Sequence, residues 1–212
     1  QFVEPIMERT TSILSDTKRE DLDATQLSKL LHHVQRERGA SCAWASSGFS
    51  NGYFQIPEFR MATDAADGTG IVSERIQSVR DTVDGVVVRD ATQFYAVFQQ
   101  FCSLCEDMLC EQEAMFGSGP SSSPESATLC TFSRLKESVG RQRAFLCGAL
   151  ALPEKVLHTF STRAFADLVV CVHQQKAYVQ SLEENTPAAL LEAVRPAFAK
   201  PDELAAVQKK LE

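Results

Sequence analysis

Residues 27–45, LSKLLHHVQRERGASCAWA, decide how the chain is read. Leu27, Leu31 and Val34 recur at steps of three and four, and Cys42 and Ala45 continue the row, which is one face of an α-helix. The next step after Val34 falls on Arg38, four residues before Cys42. A guanidinium therefore stands where the pattern asks for a leucine, while Arg36 and Glu37 point elsewhere. Residues 132–150 repeat the feature. Phe132, Leu135 and Val139 lead on to Leu146 and Leu150, and Arg143 fills the gap between Val139 and Leu146.

Outward from these rows the apolar spacing stays helical, so the expected fold is all-α. The nearest candidate strand is GVVVRD, residues 85–90, which is short and lies between helical patterns. Asp23-Ala24-Thr25 suits the entry to a long helix running to about Ser46. Further starts are marked by Ser123-Pro124-Glu125, Pro153-Glu154 and Thr186-Pro187, each with proline in the first turn, where its missing N–H does no harm. Two stretches interrupt the helices: SSGFSNGYFQIP at 46–57 and the low-complexity GSGPSSSP at 117–124. The second divides the chain into halves, 1–116 and 125–212, with roughly four helices expected in each. Superposing Arg36–Ala40 on Arg141–Phe145 aligns both pairs of arginines and places Val34 on Val139, which reads as an internal repeat.

A net charge of −7 argues against nucleic acid or an anionic membrane surface as the main partner, and it means that any anion site must be built locally from a few positive groups. The 44% apolar and 23% charged composition is that of a folded globular chain. No run of about 18 apolar residues spans a membrane, and no signal peptide opens the sequence. The ends, FVEPIMERTTSIL and AAVQKKLE, read as cut from a longer protein. Seven cysteines are an odd number, so at least one is free or pairs between chains. In CSLCEDMLC, Cys102, Cys105 and Cys110 share one helix face and are read as small buried thiols rather than a metal site; a Cys110–Cys130 disulfide stays open for an oxidising compartment. His32, His33, His158 and His173 form no metal or nucleophile arrangement, and no phosphate-binding glycine loop occurs. The chain is therefore expected to be neither an enzyme nor a cofactor protein.

Arginine does not shed its proton, so a buried guanidinium must meet a carboxylate, carbonyls or a bound anion. One reading is a scaffold or dimerisation module whose arginines pair internally, with Glu106, Asp107 or Asp167 as partners. The other is a small planar oxyanion, which the guanidinium fork matches with two parallel N–H donors. Small residues beside the arginines, namely Gly39, Ala40, Ser41 and Ala144, leave room for such a ligand.

The residues also carry a resemblance. LHHVQRERGAS resembles the first signature of the nitrate- and nitrite-sensing (NIT) domain, a helix with a leucine-glutamine-x-glutamate-arginine-glycine pattern. ESVGRQRAFLCGAL resembles the second, in which a glycine, here Gly140, precedes a glutamate-arginine-alanine step by one residue. Gln142 stands where that step usually has glutamate, and Val34 where the first signature has leucine. The resemblance implies two linked antiparallel four-helix bundles, with nitrate or nitrite held between the signature helices by Arg38 and Arg143 and with Gly39, Ser41, Gly140 and Ala144 around it. It further implies a sensor that regulates an attached output domain. It implies a place on the extracytoplasmic side of a membrane receptor, between flanking transmembrane helices, with a cytoplasmic place as the alternative; a homodimer is expected because symmetric dimers are common among helical receptors. Signalling is expected to follow when the anion neutralises two converging guanidiniums and draws the signature helices together.

Overall fold

The structure is a computed structural model that describes residues 24–47, 56–68, 70, 72–88, 90–117, 124–152, 162–188 and 192. Six helices carry the described residues: α1 (Ala24–Ser47), α2 (Ile56–Ala66), α3 (Ser73–Asp84), α4 (Ala91–Gly117), α5 (Pro124–Ala151) and α6 (Thr162–Asn185). The fold is all-α, as the spacing predicts. The candidate strand at 85–90 shows no strand among its described residues: Gly85 closes α3, Val86 is buried, and Val87 and Val88 are exposed. Helix starts at Ala24 and Pro124 fall where the sequence places them. The expected start at Pro153, the loop tip at 48–55 and most of the 117–124 linker lie outside the described residues.

Helix α1 is the centre of the molecule. It packs against α2, α4 and α5, while α5 also contacts α4 and α6, and α3 lies on α4. The row read from the sequence is buried throughout: Leu27, Leu31, Val34, Arg38, Cys42 and Ala45 are at most 2% exposed. Because α1 has neighbours on several sides, a further row, Leu30, Glu37, Ala40 and Trp44, is buried as well. One core runs across the linker, joining Phe94, Val97, Phe98 and Phe101 of α4 to Ala144 and Phe145 of α5. The two halves thus follow one another along the chain but share their apolar interior.

The burial of α5 differs from the expected row. Val139, Leu146 and Leu150 are exposed, the last at 79%, and Arg143 is exposed with them. The buried face carries Leu135, Ser138, Phe145 and Gly148 instead, with Ala144 beside them. The reason is close packing. Small residues let α5 approach α4, so the larger apolar side chains no longer mark the inside. Gly148 shows this most sharply, since a Cβ there would lie 2.0 Å from Cε2 of Phe94. Phe94 has little room to give way, because it is fully buried and held by tilted ring contacts with Phe98 and Phe145 at centroid distances of 6.1 and 5.7 Å. Gly148→Ala is accordingly expected to destabilise the protein by about 1–3 kcal/mol from overpacking, outweighing the roughly 1 kcal/mol that alanine gains as a helix former. Thermal unfolding checks it: a melting temperature that stays level or rises would mean that the ring is free to move.

Candidate functional site

Arg38 is the largest side chain buried below 2% exposure, and it sits where α1 faces α4 and α5. Its guanidinium meets Glu137 of α5 edge to edge. Nη1 donates to Oε1 at 2.5 Å and Nη2 to Oε2 at 3.2 Å. Glu137, itself 3% exposed, also accepts from Nε2 of Gln35 at 2.9 Å and from Nε of Arg141 at 2.8 Å. A planar two-oxygen anion, here a side-chain carboxylate, is therefore gripped by two guanidiniums and an amide.

Local sequence explains the placement. Gln35 and Arg38 are three residues apart on one face of α1, and Glu137 and Arg141 are four apart on one face of α5. Gly140 lies between them in height, and a Cβ there would come within 2.8 Å of Nη2 of Arg38. The absence of a side chain at 140 lets the guanidinium lie against the α5 backbone. Ala144 is buried one turn further on. Gly39 is different: a Cβ there would meet nothing within 4 Å, so it makes no close approach.

Beyond Arg141 the charges alternate. Its Nη2 donates to Glu106 at 2.8 Å, Arg134 binds both Glu106 and Glu113, and the chain of pairs runs outward along α4 and α5. Asp107 pairs with Arg75, and Asp167 accepts from Tyr95 and Gln99. None of these three carboxylates meets Arg38; Glu137, a residue that the apolar pattern did not single out, does.

The electrostatics follow from burial set against pairing. Desolvation works against the charge of Arg38, but the field of Glu137 outweighs it and holds the guanidinium firmly protonated. Burial alone would push the Glu137 carboxyl up; the charge and hydrogen bonds of Arg38, then those of Arg141, hold it below the ordinary carboxylate value. Thiols wall the other side. Cys102 lies 3.7 Å from Nη1 of Arg38, and its thiol is pushed up to about 11 by burial. Burial likewise raises Cys105 and Cys42. These groups remain neutral thiols and serve as packing. All seven cysteines are free, so the Cys110–Cys130 bridge is not formed. Among the described residues, no group of three or more His, Cys, Asp or Glu side chains could hold a metal ion.

Two buried donors on α1 are left over. Nε of Arg38 and Oγ of Ser41, one turn apart, have no hydrogen-bond partner among the described residues. Such groups cost roughly 1–3 kcal/mol each if nothing meets them, so they mark a place where a further acceptor would be welcome.

Across residues 29–211 the chain matches the model of the nitrate and nitrite sensing family. The chain belongs to that family. The match covers both signature helices, so Arg38 and the α5 arginines fall within the region matched by this sensing domain. No curated protein and no solved structure shows significant similarity to the chain. Among the described residues, no helix is long and apolar enough to cross a membrane.

The structure brings together only part of what the sequence reading named. Arg38 and Gly140 meet where α1 packs on α5, and Ser41 and Ala144 are buried on the same two helices about one turn further on. Arg143 does not join them, because two residues along a helix turn the side chain by about 200°, away from Arg141 and from the core. The α5 guanidinium that shares a carboxylate with Arg38 is Arg141. Its signal was present: it precedes Phe145 by four and Gly148 by seven, so it continues the face that is buried.

Proposed function

We propose that this NIT domain is the ligand-binding sensor of a signalling receptor, taking nitrate or nitrite at the buried edge of Arg38. The observation that carries the reading is the grip on Glu137. A flat, two-oxygen anion already lies against the guanidinium in the bidentate geometry that nitrate would adopt. The unmatched donors on Arg38 and Ser41 add capacity for a third oxygen. Two α5 arginines compete for the second place at the anion. The signature marks Arg143; the geometry favours Arg141, which shares the carboxylate with Arg38, and we take Arg141.

In this reading the anion biases the placement of α1 against α5, and an attached output domain receives the change. The domain is further proposed to act as a homodimer on the extracytoplasmic side of a membrane receptor, flanked by transmembrane helices, by analogy with receptor members of the family.

The internal pairing of Arg38 also favours a second reading, a helical scaffold or dimerisation module in which the arginine only fastens α1 to α5. A thermal-shift series separates the two. Nitrate and nitrite are expected to raise the melting temperature with concentration, by the equivalent of about 2.7 kcal/mol at a hundredfold excess over Kd, while chloride and sulfate do not. Arg38→Ala and Arg141→Ala are expected to abolish the shift, and Arg143→Ala to leave most of it. A parent protein indifferent to all four anions supports the scaffold; a shift lost in Arg143→Ala alone moves the site to the outer face of α5.

A further inference from the structure

We infer that Glu137 is a resident mimic of the ligand, occupying the anion site in the unliganded state, so that nitrate binds by displacing it. The inference rests on the sensor reading above and adds to it how the site is kept closed.

The geometry is that of a ligand complex. A carboxylate and nitrate share a planar, delocalised pair of oxygens at similar spacing, and both match the guanidinium fork. Glu137 meets the full complement expected of such a ligand: both terminal nitrogens of Arg38, Nε of Arg141 and Nε2 of Gln35. No room is left for a second anion on that edge of Arg38.

Charge leads to the same conclusion. The connected pairs hold Arg38, Arg141 and Arg134 against Glu137, Glu106 and Glu113, three guanidiniums facing three carboxylates. The cluster is neutral as it stands. Adding an anion to its buried end leaves one negative charge too many in a region of low polarity, which is costly unless a carboxylate departs. Glu137 is the carboxylate in contact with the binding edge.

The converging arginines are therefore not waiting for a charge to draw them together, since Glu137 already does so. Displacement instead unties α5 from Gln35 and Arg38 of α1, the opposite of the helix-closing motion expected from the sequence. Occupancy would loosen one contact between signature helices and replace it by contacts from the anion.

A state with Glu137 swung out is a minor one, of the order of 0.1–10% of molecules, and the apparent affinity for nitrate is reduced by that fraction. Removing the mimic removes the reduction. Isothermal titration of the intact protein with sodium nitrate is expected to give Glu137→Gln an affinity about tenfold or more above the parent. Glu137→Asp, one methylene too short to reach both nitrogens, is expected to fall between them. As a check that does not depend on an intact amide, Glu137→Ala is expected to melt earlier than the parent and to be restored by millimolar nitrate or formate, but not by chloride. Nitrate binding to the parent with equal or weaker binding to Glu137→Gln and no rescue of Glu137→Ala would overturn the inference and leave the sensor reading in place. Nitrate binding to none of the four proteins would remove both.

Discussion

Arg38→Met is expected to destabilise the protein by about 3–5 kcal/mol in nitrate-free buffer, measured by urea or thermal unfolding. Methionine supplies much of the buried length, so the loss is chiefly electrostatic. Glu137, at 3% exposure, would keep only Arg141 and Gln35 as partners. Those two contacts place the expected loss toward the lower end of the range. The variant also carries a signature in acid. Burial raises the Glu137 carboxyl, but Arg38 and Arg141 outweigh burial and hold it below its ordinary value of 4.5. A carboxyl with a depressed folded pKa binds fewer protons in the folded than in the unfolded state. Its contribution is therefore complete above the unfolded value and is lost as pH falls through the folded one. The parent should lose this share of stability below about pH 4.5, and Arg38→Met should show a flatter acid limb over the same window. A change within about 0.5 kcal/mol at neutral pH would mean that the guanidinium does not hold Glu137 in the core.

Much of this is legible in the sequence, and the parts that are not depend on packing and partners that no local pattern reports. The helical class followed from period alone, and the row through Leu27, Leu31, Val34, Arg38, Cys42 and Ala45 is buried as read. A charged residue inside an otherwise apolar row is a strong signal because a buried guanidinium is costly unless something pairs with it. On α5 the same rule led to Arg143, since Val139, Leu146 and Leu150 are the large apolar residues in view. Beyond Leu135 the inner face carries Ser138, Ala144, Phe145 and Gly148 instead, and three of these four are small residues that permit close approach and carry little hydrophobic weight. Counting apolar side chains finds faces that contribute by area; it misses faces that contribute by letting helices touch. Glu137 was hidden for a related reason. Its burial depends on Arg38, ninety-nine residues away, and no local pattern reports a partner at that distance. The anion itself is not legible from geometry: the fork of Arg38 selects a planar pair of oxygens, and the family supplies the word nitrate.

Glu37 extends that lesson to a larger expected effect. It is fully buried next to Arg38 on α1 but faces the other way, toward Arg80 of α3, which donates from Nε at 2.7 Å and from Nη2 at 2.9 Å. Arg80 also reaches Asp64 and the carbonyl of Arg60, so one guanidinium ties α1, α2 and α3 together. The buried companions Ala40 and Trp44, at three and seven residues further on, were the available clue to this second face. Arg80→Met is expected to cost about 4–5 kcal/mol, toward the top of the range for breaking a buried pair. The nearest remaining cation, Nε of Arg60, is 3.9 Å from Glu37, too far for a hydrogen bond. Asp64 contributes little to the penalty, because at 60% exposure water can take over from Arg80. The loss is thus the stranding of one carboxylate, and a double-mutant cycle can show it. Glu37→Leu combined with Arg80→Met removes both charges, and replacing a whole buried pair by apolar groups of similar volume is often neutral. The double variant is expected to recover most of the stability lost in Arg80→Met, read as the urea midpoint. If it unfolds as early as the single variant, the pair serves as a geometric tie between the helices that apolar packing does not replace. Either way the effect is separable from anion binding: Arg80→Met leaves the Arg38–Glu137 contact in place, so any nitrate-dependent shift of the folded protein should persist.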